Sequence, residues 1–408
     1  MERVVGAVAK PPYSIPSMAE IAAIETNGLD VVSTFSGCGG SCLGFRQAGY
    51  RTLWASEFVP AAAETYRANF PDVPLSTDDI REIQPATLLT EIGRERGDVD
   101  VVEGSPPCAS FSTAGKRSAH WGQVKPYSDV EQRVDDLFFE FVRIVEGIQP
   151  RVFVAENVAG LVRGVAKGYY LDVLKALEDA GYRVGARLLD AQWLGVPQVR
   201  RRVIFIGVRN DLEREPVFPK PLQYRYSVAE AIGLVAVGTK NGARSADLPA
   251  PTVQTHGRRK TQSELTAIES RKVGLQEDVG ENVGASLDGY AIAPEWDKLR
   301  PGESSDRYFN LVRPDPERPL PTVTAMGVGG HKGVGSPGGV AAVTHPTERR
   351  KFAISELKRL CGFPADFVLT GTYQQRWERL GRAVPPPMMR AVAETIRDDL
   401  LAERERAA

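Results

Sequence analysis

Short β-branched runs, closed by glycine, proline or acidic residues, alternate with longer stretches of helical period through the first half of this chain. Runs of that kind read as buried strands, and apolar positions three and four apart read as helices. Strands are expected at 30–35, 52–56, 99–102, 151–155, 182–189 and 203–208. Between them the helical period passes through Leu43, Phe45 and Ala48, then spans 134–148 and 169–180, where Gly181 closes it. Strand and helix in alternation predict an α/β fold, a doubly wound and mostly parallel sheet. After about residue 210 the alternation gives way to prolines, glycines and short apolar runs up to about 350, which predicts a smaller, irregular domain. A short helix is expected at 355–360, and the prolines at 385–387 introduce a final helix over 388–401. The expected organisation is an N-terminal arm at 1–27, a catalytic domain at 28–209 plus 381–408, and a second domain at 210–380.

Composition narrows the class. A length of 408 residues suits two or three domains, and 42% apolar with 25% charged content suits a globular protein. No apolar run approaches the ~18 residues that cross a bilayer. The opening Met1-Glu2-Arg3-Val4 lacks a signal-peptide layout, so a cytoplasmic protein without membrane contact is expected. Four cysteines, Cys38, Cys42, Cys108 and Cys361, are too few for a disulfide framework and suit a reducing compartment. Cys38 and Cys42 have no second ligand pair, so no metal site is expected. A net charge of −1 excludes a uniformly basic nucleic-acid coat, and any such contact must come from a local basic face.

Candidate chemistry gathers at the ends of the expected strands. The third runs into Glu103-Gly104-Ser105-Pro106-Pro107-Cys108-Ala109-Ser110-Phe111-Ser112, where two prolines stiffen the backbone before a single cysteine. A thiol held at a strand's carboxyl edge is a candidate nucleophile, while a small buried hydrophobe is the plainer alternative. The first strand enters Ser36-Gly37-Cys38-Gly39-Gly40, a turn that lets backbone approach a ligand ahead of a helix. The dinucleotide fingerprint is not met, because Cys42 stands at its third glycine. Glu57 lies 20 residues beyond Gly37, the distance at which an acid binds ribose hydroxyls in a βαβ unit. Phe58 could lie against an adenine ring, and Asp78-Asp79-Ile80 would face the same crevice. Glu156 places a second carboxylate at a strand end. Arg200-Arg201-Arg202 after Gln198 and the run His256-Gly257-Arg258-Arg259-Lys260 each read either as solvated turns or as contacts to an anion. The polar stretch from Gly115 through Lys116 and Arg117 reads as a loop beside the site.

Taken in order, these motifs resemble the cytosine-C5 DNA methyltransferase family over most of the chain, from Asp30 to about Ile396. Phe35-Ser36-Gly37-Cys38-Gly39-Gly40 is similar to its first motif, Pro107-Cys108 with Phe111-Ser112 to its Pro-Cys motif, and Glu156-Asn157-Val158 to its Glu-Asn-Val motif. Gln198, Arg200 and Arg202 resemble its Gln-x-Arg-x-Arg motif. Arg318-Pro319-Leu320-Pro321-Thr322-Val323 resembles the motif supporting its recognition domain, and 381–386 its last motif.

The resemblance implies a Rossmann-like class I methyltransferase domain, S-adenosylmethionine as cofactor and double-stranded DNA as partner. It also implies a monomer with a possible cognate restriction endonuclease. By the resemblance, Cys108 adds to cytosine C6, Glu156 holds the ring at N3, Arg202 binds O2, and Arg200 orients that group or a phosphate. Cofactor binding falls to Phe35, Ser36, Gly37, Cys38, Gly39, Gly40, Glu57, Phe58, Asp79, Ile80, Pro107, Leu137 and Arg382. DNA binding falls to Ser112, Lys116, Arg117, Gln198, Arg258 and Arg259, with residues 210–380 reading the target sequence. The chain departs from the family at Ser105, where a glycine is usual, at Ala109, usually glutamine, and at Arg382, usually an asparagine that orders the cofactor end. A transfer-RNA methyltransferase is one alternative, although that branch carries a second cysteine motif and this chain has no cysteine between Cys108 and Cys361. An inert DNA-binding regulator is the other, with Arg382 its one hint.

Overall fold

The computed structural model describes residues 9–107, 125–127, 130–132, 136–162, 167–234, 281–290, 292–308, 311–323 and 343–402. The strands are β1 (Asp30–Thr34), β2 (Arg51–Ser56), β3 (Leu75–Ser76), β4 (Val101–Gly104), β5 (Lys125–Tyr127), β6 (Val130–Gln132), β7 (Val152–Val158), β8 (Tyr182–Asp190) and β9 (Arg201–Arg209). Seven of them form one sheet in the order β3-β2-β1-β4-β7-β9-β8, and β5 with β6 makes a separate hairpin. The five strands from β3 to β7 are parallel, while β9 runs antiparallel to both β7 and β8. The mostly parallel sheet expected from the sequence is therefore present. Its strand order reverses between β1 and β4, and the crevice at such a switch point is where open α/β sheets bind ligands.

Helices cover both faces, as the continuous apolar strands require. On one face α4 (Pro85–Glu91), α5 (Leu137–Ile148) and α6 (Lys167–Asp179) pack Leu88, Phe141, Val145 and Val173 against Phe153 and Phe205. On the other, α2 (Gly40–Gln47) brings Phe45 to Val31 and Ile204. Beside α2 lies the last long helix, Pro386–Ile396, with Met388, Met389 and Ile396 in the same core. Pro386 stands in its first turn, where a missing N–H costs nothing.

Gly44 is the contact point of these two helices. A Cβ there would come 2.7 Å from Met389 Cβ and 2.8 Å from both Arg390 N and Pro386 O. Two of those atoms are backbone and cannot step aside. Gly44→Ala is expected to cost ~1–3 kcal/mol despite alanine's better helix propensity. A denaturant midpoint no lower than wild type would contradict this packing.

The second half departs from expectation in two respects. Residues 320–323 and 352–380 do not form a core apart from the first domain. Leu320, Val323, Phe352, Leu357, Phe363, Trp377 and Leu380 share one cluster with Cys42 and Leu43 of α2, Tyr66 of α3 (Pro60–Asn69) and Phe70 at its C-terminal cap. The boundary drawn at residue 380 thus falls inside a continuous core. The sequence also gave no warning of a helix at Tyr373–Arg382, which starts in a capping box made by Thr372 and Gln375. A smaller cluster of Leu287, Trp296, Leu299 and Leu311 stands by itself. Arg313 stacks on the Trp296 ring at 4.0 Å. The N-terminal arm packs onto this half, where Tyr13 OH donates to Arg359 O at 2.6 Å. Among the described residues no helix is long and apolar enough to cross a membrane.

Candidate active site

The parallel strands of the central sheet end at the same edge, and the residues at the ends of β1, β2, β3 and β4 line one cleft. β1 ends in the glycine turn. There Phe35, Gly37 and Gly39 all take positive φ, at 52°, 58° and 92°. The turn is tied to the end of β2 by Glu57. Its Oε2 accepts from Gly37 N at 2.7 Å and its Oε1 from Val59 N at 2.7 Å. Burial pushes the Glu57 carboxyl up, against the pull of those two N–H groups and of Arg379 and Arg382.

The cleft holds roughly 920 Å³ including its open mouth. Of the residues expected to bind a cofactor, Phe35, Ser36, Gly37, Cys38, Glu57, Phe58, Asp79, Ile80, Pro107, Leu137 and Arg382 line it. Gly39 and Gly40 do not. They serve close packing behind the wall, since a Cβ would come 2.3 Å from the Phe70 ring at Gly39 and 2.3 Å from Val384 O at Gly40. Asp79 is held by Arg81, Nη1 to Oδ2 at 2.9 Å, and Arg81 reaches on to Asp136 at 2.7 Å. Arg382 pairs with Glu378 at 2.7 Å. The wall also includes Ser41, Ser105, Arg379 and Val384, none of which the sequence singled out for the site. Arg379 was missed because its helix was missed.

The second half of the site is built on β4, β7 and β9. Asn157 Nδ2 donates to Pro106 O at 3.1 Å, so β7 holds the backbone two residues before Cys108. The motif was visible in the sequence, but this job for Asn157 was not. Glu156, one residue back, is buried, and Arg202 Nε lies 2.6 Å from its Oε1. That contact is an ion pair without a well-aligned hydrogen bond, which leaves the oxygen with accepting capacity. Cys108, Ser112, Lys116, Arg117, Arg258 and Arg259 lie outside the described residues.

Two expected contacts need correction. Arg200 was expected to orient Arg202 or a phosphate, yet it is 1% exposed. Its Nη1 donates to Val323 O at 2.9 Å, and its Nη2 to Gly381 O at 2.9 Å and Ala383 O at 2.8 Å. Burial, with Arg202 nearby, pushes its pKa down to about 9, so it stays ionised at neutral pH. Gln198 was expected at DNA and is 0% exposed. It accepts from Val323 N at 3.1 Å and donates to Leu360 O at 3.4 Å. Neither side chain can reach a ligand outside the protein. Both instead sew the start of β9 to segments more than a hundred residues away.

Cys38, Cys42 and Cys361 are free and buried, and burial pushes their thiols up to about 12, 12 and 11. They remain protonated and inert at neutral pH. Among the described residues no group of three or more His, Cys, Asp or Glu side chains is arranged to hold a metal ion.

The family model described as C-5 cytosine-specific DNA methylase matches residues 29–398. The Type II methyltransferase M1.HphI of Haemophilus parahaemolyticus is 31% identical over 369 residues, covering 90% of this chain and 86% of that protein. M.DdeI of Desulfomicrobium norvegicum is 30% identical over 393 residues, covering 90% and 88%. Among solved structures, a putative DNA modification methyltransferase encoded within an E. coli prophage superposes with a TM-score of 0.65 at 22% identity, over 92% of this chain and 100% of that one. Spodoptera frugiperda DNMT2 follows at 0.55 and 16%, over 89% and 98%, and shares the fold.

Proposed function

The chain belongs to the C-5 cytosine-specific DNA methylase family, and on that premise we propose that it methylates C5 of a flipped-out cytosine in duplex DNA, using S-adenosylmethionine and a covalent bond from Cys108. The observation that carries this reading is the meeting of the cleft wall at Pro107 with the Glu156–Arg202 pair across Asn157 and Pro106.

The cleft suits the cofactor. Glu57 would hold the ribose hydroxyls, Phe58, Ile80 and Leu137 offer apolar surface to a base, and Arg379 and Arg382 form part of its wall. S-adenosylmethionine, when bound there, supplies an electrophilic methyl group. Cytosine C5 is a poor nucleophile until C6 carries an added group, and Cys108 is the thiol adjoining Pro107. As thiolate it adds to C6. Glu156 accepts from the exocyclic amine and shares a proton with N3, and that proton offsets the negative charge that thiolate addition puts on the ring. Arg202, which shares charge with Glu156, takes O2. Once C5 has taken the methyl group, loss of its proton to a base expels the Cys108 thiolate. No residue at this depth reaches C6 in a stacked duplex, so the base must leave the helix at a cost of a few kcal/mol. Target reading is assigned to the part of 210–380 outside the core shared with α2 and α3, with Arg258 and Arg259 as phosphate or guanine contacts. A cognate restriction endonuclease, monomeric action and a cytoplasmic location belong to the same reading.

The test is transfer of label from S-adenosylmethionine to unmethylated DNA and to transfer RNA side by side, with the DNA then sequenced for 5-methylcytosine. Label in DNA at one sequence supports the reading. Label only in RNA assigns the chain to that substrate, and cofactor binding without transfer to either makes it a regulator. Glu156→Gln is expected to slow single-turnover transfer by ~10²–10⁴-fold while leaving cofactor affinity unchanged. An equal loss of cofactor binding would move Glu156 out of the base site.

A further inference from the structure

Glu103 is used by none of the steps above. It is 1% exposed in the middle of the sheet, paired in register with Ser33 of β1 and Val154 of β7. Around its carboxyl the donors all point inward. Ser33 Oγ donates to Oε1 in a short bond, and Ser41 Oγ donates to Oε2 at 2.7 Å. Cys42 Sγ lies 3.8 Å from Oε1. Ser36 Oγ lies 2.7 Å from Ser33 Oγ. Because the Ser33 proton is committed to Glu103, Ser36 must be the donor in that last pair. Ser36 and Ser41 both line the cofactor cleft. With their protons turned inward, they offer the cleft only oxygen lone pairs.

We propose that Glu103 is a positioning residue of the cofactor site: ionised, it orients the Ser36 and Ser41 hydroxyls as acceptors and so favours a cationic cofactor over its neutral demethylated product. A protonated Glu103 has one O–H to give: donated to Ser41 it reverses that hydroxyl toward the cleft, and donated to Ser33 it turns Ser33 on Ser36, whose proton then goes to Ser33 O at 3.4 Å or to the cleft. The carboxyl is poised for that exchange. Burial, with Glu156 adding a like charge, raises it to about 7 against its hydrogen bonds from Ser33, Ser41 and Cys42. The titratable groups around it are Cys42 and Arg46 on α2, Tyr66 on α3 and Glu156 on β7. Cys42 and Tyr66 are both pushed up by burial and stay neutral through this range. The sign follows. A cation bound over the serines stabilises the ionised form and lowers the Glu103 pKa, so affinity for that cation rises with pH and levels off above about 7.

The inference rests on the S-adenosylmethionine reading above. Calorimetry of S-adenosylmethionine and S-adenosylhomocysteine binding to the full chain, from pH 6 to pH 8 in buffers of different ionisation enthalpy, tests it. Both ligands carry the same α-amino group, so their affinity ratio isolates the sulfonium. The ratio is expected to rise ~5-fold between pH 6 and pH 8, as one unit of displacement from about 7 requires. Proton release at pH 6.5 should accompany the methylated ligand alone, and Glu103→Gln should abolish both effects. A ratio flat with pH, or a proton release that survives Glu103→Gln, overturns the proposal. Affinities for both ligands falling together in that variant mean a structural role only and overturn it too. Should the variant fail to fold, the wild-type ratio decides alone. Absence of any S-adenosylmethionine binding by the wild type refutes the cofactor reading itself, and this proposal with it.

Discussion

Serine at position 108 is expected to slow methyl transfer by more than ~10⁴-fold while S-adenosylmethionine binding stays unchanged. The argument starts from what precedes that residue. β4 is pinned between β1 and β7, and Pro106 and Pro107 limit the backbone that follows it. Asn157 holds the Pro106 carbonyl, and Pro107 forms part of the cleft wall. The lead into position 108 is therefore rigid, and its last described residue, Pro107, stands at the cleft. The chain's other cysteines, Cys38, Cys42 and Cys361, are buried and cannot substitute. A hydroxyl in place of the thiol keeps the volume and loses the nucleophile, because it ionises far less readily. DNA carrying 5-fluorocytosine sharpens the test, since fluorine cannot leave C5 as a proton does. The wild type should then remain covalently attached to DNA under denaturing conditions, and Cys108→Ser should not. Transfer by the serine variant at a rate near wild type would end the covalent mechanism.

Arg200→Ala is expected to destabilise the fold by ~3–5 kcal/mol, the largest effect of any arginine at the site. The guanidinium accepts nothing and donates to three carbonyls, those of Val323, Gly381 and Ala383. Truncation would leave all three buried without a partner, in a place water does not reach. Arg200→Lys should recover only part of the loss, because one ammonium cannot span the fork of a planar guanidinium. The measurement is the first thermal transition, followed with and without cofactor. Its interest lies in the contrast with a DNA-contact role. Loss of a phosphate contact would leave the melting temperature alone and reduce the salt slope of DNA binding by about one. A stable Arg200→Ala protein with a shallower salt slope would restore the phosphate role that its burial argues against.

The sheet was legible because its information is local. Val31-Val32, Val101-Val102, 152–155 and 203–208 are apolar without interruption, and such runs can only be strands buried on both faces. The glycine turn and Glu57 were legible for the same reason, as a spacing along one βαβ unit that the fold converts into two hydrogen bonds. The Pro-Pro lead into Cys108 and the prolines before Pro386–Ile396 are likewise statements about single backbone positions. Those features, and the order in which the motifs follow one another, were settled by the sequence alone.

What only the tertiary structure decided concerns polar groups whose partners arrive from far along the chain. Gln198 and Arg200 look like neighbours of Arg202 in a basic turn, and nothing local distinguishes them. They differ because segments 320–323 and 381–383 return to cover them, while Arg202 stays beside Glu156. Glu103 looked like an unremarkable acid before two prolines until Ser33, Ser41 and Cys42 closed around it. The boundary at 380 failed for the same reason, since Trp377 and Leu380 find their core on α2 and α3. Periodicity records which way a side chain faces relative to its own element. Whether that face meets water, a ligand or another segment is set by long-range packing, and that is where the charge of a buried group acquires its role.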